Sequence, residues 1–153
     1  MTTPPPVFSE FGQALAFAER TLSGVLREHL AVRDTAPETW YALQLIATRG
    51  PGLARETLRT VLEGVPTLDA ESTVALLVRL EAEGLIRGDA EVDLTAEGEA
   101  RHRSLREYVF SRTVRLLSQF DVNAIETTVR TLQAITRRVQ EEAEEEIEVL
   151  ATS

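Results

Sequence analysis

Apolar residues at helical spacing through most of the chain, two shorter helices joined by a tight turn near its middle, and a brief pair of strands just after them predict the fold class. It is mainly α: a winged helix-turn-helix with a very short β-wing, set between long N- and C-terminal helices. The length of 153 residues and a hydrophobic content of 43% allow one domain with a substantial core.

Each element has a local reason. The opening "MTTPPPVFSE" has no charged n-region and no apolar h-region, and its prolines favour a frayed, extended arm. From Phe8 to Leu30 the apolar residues Phe8, Phe11, Leu15, Leu22, Val25, Leu26 and Leu30 recur largely at gaps of three, four and seven, which marks an amphipathic helix. "TAPE" then reads as a capping box, with Thr35 as cap, Pro37 in the first turn and Glu38 at the third helical position. The second helix carries Trp40, Leu43, Leu45 and Ile46, and "RGPG" ends it. "LARETLRTVLEG" is a short third helix, closed by Gly64 and followed by Pro66. Asp69 or Thr67 caps the fourth, "AESTVALLVRLEAEG", whose core stripe is Thr73, Leu76, Leu77 and Leu80. Val74, Ala75 and Val78 lie off that stripe. Two small strands, Leu85–Arg87 and Glu91–Leu94, surround a turn at Gly88-Asp89.

A fifth helix begins at Thr95 and presents Leu105, Val109, Val114, Leu117 and Phe120. The last begins at Asp121, and Ile125, Val129, Leu132, Ile135 and Val139 repeat at a period near 3.5, which suits a helix packed along another. The glutamate run near the end reads as a solvated helix end or tail.

Charge is unevenly placed. The net is −9, and all 16 basic residues are arginine. Residues 37–100 hold five arginines against twelve carboxylates, whereas residues 101–140 hold eight arginines against three. With no cysteine, disulfides, thiol redox chemistry and zinc-thiolate sites are excluded. No run of apolar residues is long enough to span a membrane. A cytoplasmic protein is expected. No phosphate-binding glycine loop, paired-histidine motif or nucleophile elbow occurs. The chain is therefore not expected to be an enzyme, and no catalytic residue, metal or cofactor is assigned. His29 and His102 read as ordinary helix-surface residues.

Two segments carry a resemblance. "LVRLEAEGLI" supplies Leu80, Glu81, Gly84, Leu85 and Ile86, and "LTAEGEA" supplies Leu94, Thr95 and Gly98. In that order, with a helix before and two long helices after, they resemble the MarR-type winged-helix transcriptional regulators, over roughly Phe8 to Glu142. The resemblance implies a cytoplasmic homodimer that binds double-stranded DNA and regulates transcription, with one recognition helix per subunit in a major groove. It also implies a response to a small aromatic ligand. It divides the chain into a flexible Pro-rich arm (1–7), a helical dimerisation region (8–34 and 101–148), a winged lobe (35–100) and a tail (149–153).

The DNA-binding candidates are Arg55, Arg59, Ser72, Thr73, Arg79, Arg87 and Arg101, with Arg103 and Arg106 beside the last. Trp40 and Tyr41 border the implied ligand pocket, although a tryptophan at helical spacing is ordinarily a core residue. The sequence departs from the family in its short "RGDAEVD" wing, which lacks a tip arginine, and in the apolar middle of its recognition helix. Those departures, with the acidic lobe, predict weak non-specific DNA binding. They also motivate a second reading, in which a degenerate winged-helix dimer serves as a protein-interaction or small-molecule-sensing module without DNA binding.

Overall fold

The computed structural model describes residues 2–65 and 67–152. Met1, Pro66 and Ser153 belong to the expected arm, the turn before the fourth helix and the expected tail, and lie outside the described residues. The chain divides into two compact units, one ending at Phe110 and the other beginning at Ser111.

The elements follow the order α1 (Val7–Val32), α2 (Pro37–Arg49), β1 (Leu53–Ala54), α3 (Arg55–Glu63), α4 (Ala70–Ala82), β2 (Ile86–Arg87), β3 (Glu91–Leu94), α5 (Ala96–Leu117) and α6 (Val122–Thr152). The first unit is built around one apolar core. Leu43, Leu58, Leu62, Leu77, Leu80, Leu85 and Val92 are among its fully buried side chains, and Leu30 of α1 and Leu105 of α5 join them. Thr73, Leu76, Leu77 and Leu80 of α4 are all buried, as their spacing requires.

The sheet differs from expectation. The wing hairpin pairs Ile86 with Leu94 and Arg87 with Asp93, and a third strand, β1, adds antiparallel to β3 through Leu53–Val92 and Ala54–Glu91. A two-residue strand leaves no alternation to read in sequence. It forms because Gly52, at φ +76°, turns the chain and donates its N–H to Asp93 Oδ1 at 3.0 Å, while Leu53 inserts into the core.

The expected capping box at α2 is also corrected. The cap position belongs to Ala36, with no side-chain cap, and Pro37 opens the helix. Thr35 is instead buried, and its hydroxyl donates to Arg33 O at 3.0 Å. Proline at the first helical position has no N–H to satisfy, which reduces the need for a cap there. The caps expected at the fourth and fifth helices form. Asp69 Oδ1 accepts from Ser72 N at 2.7 Å, and Thr95 Oγ1 accepts from Gly98 N at 3.0 Å.

α1 carries an exposed apolar face at Phe8, Phe11, Leu15, Phe17, Leu22 and Val25. In the second unit, Asp121 Oδ1 caps α6 through Asn123 N at 2.9 Å, and the helix continues to Thr152. None of its residues is buried, and Val122, Val129, Ile135, Val139 and Ile147 are exposed. Its glutamate run is engaged locally, since Arg138 lies 3.5, 3.2 and 3.8 Å from Glu141, Glu142 and Glu145. Among the described residues no helix is long and apolar enough to cross a membrane.

Candidate nucleic-acid interface

α3 and α4 pack on each other and on α2, and α4 turns the opposite side outward. That outward side begins at Glu71 and continues through Val74, Ala75, Val78 and Ala82, all exposed. Val74 and Val78 keep 46% and 59% of their surface. Ser72 is exposed at one flank. Thr73, a candidate contact, is fully buried and donates its hydroxyl to Asp69 O at 2.8 Å, so it presents no group to a ligand. Its place in the 3.6-residue repeat already put it on the core stripe.

The candidate arginines separate into two kinds. Arg55 holds the wing: Nε donates to Asp89 O at 2.7 Å and Nη2 to Gly88 O at 2.9 Å, and the same nitrogen forms an ion pair with Glu81. Arg59 lies 3.0 Å from Glu56 and 3.7 Å from Glu63 along its own helix. By contrast, among the described residues no carboxylate lies within 4 Å of Arg79 or Arg87. Arg79 is directed towards α2, where Nη2 meets Thr39 Oγ1 at 3.2 Å. Arg87 is exposed on the wing's first strand, opposite Asp93. Arg101 lies apart from both, at the α1–α2 junction, 3.4 Å from Thr35 Oγ1.

The wing is a tight hairpin. Gly88 sits at φ +110°, and a Cβ there would meet Glu91 O at 2.0 Å, so the turn admits glycine alone. Its tip is Asp89, and no cation extends beyond Arg87.

No family model matches the chain, and no curated protein does. Solved structures do. A MarR family protein of Mycobacterium tuberculosis in complex with DNA has a TM-score of 0.66 at 18% identity, covering 87% of this chain and 98% of its own. The multiple antibiotic-resistance repressor from Listeria monocytogenes has a TM-score of 0.60 at 16% identity, over 92% and 99% of the two chains. The transcriptional regulator PA3341 has a TM-score of 0.71 at 19% identity, over 86% and 98%. The chain has the MarR-type winged-helix fold. The Mycobacterium tuberculosis protein has also been solved in complex with salicylic acid, at a TM-score of 0.63 and 18% identity over 81% and 96% of the chains.

Within this MarR-type fold the region around Trp40 and Tyr41 is well packed. Trp40 is buried and stacks on His102, with ring centroids 5.7 Å apart and planes 19° from parallel. His102 Nε2 is 2.6 Å from Gln44 Oε1. His102 is thus part of the α2–α5 contact and not an ordinary surface residue. Burial, and then the charge of Arg106, lower its pKa below the usual imidazole value. His29 likewise meets Tyr108 edge-on at 6.1 Å, and Arg33 lies 4.4 Å from the same ring. Tyr41 lines a hollow of about 170 Å³ between α1 and α2, with Ser23, Leu26 and Glu38. That is below the roughly 300 Å³ at which small-molecule sites usually begin. Among the described residues no group of three or more acidic or histidine side chains is placed to hold a metal.

Sequence reasoning missed the partners that decide which arginines are available. Glu81 is 26 residues from Arg55, and Thr39 is 40 from Arg79. Separations of that size leave no local pattern.

Proposed function

We propose that this chain is a DNA-binding transcriptional regulator, acting as a homodimer and responding to a small aromatic ligand. The observation that carries the reading is α4 itself. It is a capped helix anchored by one face, with the other face open; Arg79 and Arg87, both without carboxylate partners among the described residues, stand at its flank and on the wing. A helix held in this way suits the major groove, with arginines on the phosphates and the outward side chains on base edges. The apolar faces of α1 and α6 support self-association, since uncovered stripes of this kind ordinarily mark an interface. The ligand would enter at the Tyr41 hollow, which has to enlarge to admit an aromatic ring.

The test is fluorescence anisotropy of the full chain with a labelled fragment of its own upstream region, against random duplex, across a salt series. A specific complex that weakens with salt is the expected result. No complex with either duplex at low salt would favour the protein-interaction module instead. Light scattering reads the dimer, and an aromatic acid such as salicylate, titrated into the complex, reads the ligand response.

A further inference from the structure

The outward face of α4 is unlike a hydrogen-bonding reader, and this has a chemical consequence. Its centre is Val74, Ala75 and Val78, all exposed. The polar side chains near it are placed elsewhere. Arg79 is drawn to Thr39, Glu81 is paired with Arg55, Thr73 is buried, and Asp69 is occupied by Ser72. Glu71 and Ser72 are confined to the first turn.

A major groove offers donors, acceptors and one apolar group, the thymine C5-methyl. Pressing a valine against an unpaired donor or acceptor leaves that group desolvated without a partner, which is unfavourable. Pressing it against a methyl removes apolar surface from water on both sides. We infer that Val74, Ala75 and Val78 are specificity-determining residues that read thymine methyl groups. This rests on the DNA-binding reading above and names what the same site recognises. Val74 and Val78 are four residues apart, about 6 Å along the helix axis. That spans close to two steps of a duplex rising 3.4 Å per base pair. The thymines therefore fall within three consecutive base pairs of each half-site.

The experiment uses the full chain and a pool of duplexes with a randomised core. Bound duplexes are recovered and sequenced. The recovered site is then rebuilt with deoxyuridine in place of each thymine in turn, which removes only the methyl. Two thymines in each half-site are expected to lose about fourfold in affinity on this exchange, the worth of one buried methyl-sized group. Deoxyuridine elsewhere in the site is expected to change nothing. Val74→Ser and Val78→Ser, both at exposed positions, remove the apolar contact that an alanine would keep, and are each expected to abolish the penalty at one thymine and leave it at the other. A specific site at which every deoxyuridine duplex binds like its parent would overturn the inference while leaving the DNA-binding reading intact. Recovery of no specific site would overturn that reading, and this inference with it.

Discussion

Gly98→Ala sets two physical effects against each other. Gly98 lies in the first turn of α5, where alanine is the better helix former by about 1 kcal/mol. Yet a Cβ built on Gly98 would stand 2.0 Å from Leu85 O and 2.9 Å from Leu85 C. Those are backbone atoms that cannot rotate aside. Leu85 O also accepts from Thr95 N at 3.0 Å, and Thr95 Oγ1 donates to Gly84 O, so α5 is seated on the α4–β2 turn by both bonds. Relieving the clash moves α5 off that seat. Overpacking of this sort costs about 1–3 kcal/mol. The two hydrogen bonds add roughly 1 kcal/mol each. After the helix-propensity gain, the net destabilisation is about 2–4 kcal/mol. Urea unfolding at matched protein concentration reads it, with Glu99→Ala as the exposed neighbouring control. A Gly98→Ala chain as stable as the parent, or more so, would refute the argument and show that α5 is not held by close backbone approach.

The remaining predictions concern charge. Arg55→Ala is expected to loosen the wing, seen as faster amide exchange across residues 88–92 and a loss of about 1–2 kcal/mol in stability; Arg55→Lys should fail to restore it, because an ammonium cannot reach two carbonyls and a carboxylate in one plane. His102 has a lowered pKa, so the unfolded chain binds its proton first as pH falls. Its contribution to stability is whole above about pH 6.5 and is lost as pH drops through the folded value. The urea midpoint should therefore fall more between pH 7.5 and pH 5.5 for the parent than for His102→Gln, and equal falls would contradict the assignment. For DNA, two available arginines per subunit give four phosphate contacts in a dimer and a log-log salt slope near −4, against about −7 were Arg55 and Arg59 also engaged. Arg79→Ala or Arg87→Ala should each flatten the slope by about 2, at specific and random duplex alike.

The fold was legible wherever a period of 3.6 persisted over several turns. All six helices were expected, and the α4 stripe of Thr73, Leu76, Leu77 and Leu80 is buried as its spacing required. The motif glycine Gly98 was visible in sequence, but its reason, the carbonyl of Leu85, was not. What escaped was short or non-local. β1 has two residues, too few for alternation. The Thr35 cap was misread because Pro37 satisfies the same signature with the helix starting one residue later. His102 stands alone in its stretch of sequence and so reads as a surface residue, because its partners Trp40 and Gln44 come from α2. At the candidate interface the apolar face of α4 could be read from the repeat. The pairing of Arg59 with Glu56 and Glu63 also lies at helical spacing, but the engagement of Arg55 is not legible, because Glu81 is brought to it by the tertiary fold.

The pairing of Arg55 and Arg59 with glutamates of the same lobe bears on how such a molecule would find its site. A protein whose cations already have internal counterions gains little by resting on arbitrary duplex, because few bound salt ions are set free when it lands. It would slide short distances, detach readily and search mainly through solution. Arrival at the correct sequence would be slow, but a large share of the molecules would remain unattached at any moment. For a regulator present in few copies, occupancy would then track the total number of molecules closely, with little of the pool sequestered on the rest of the genome.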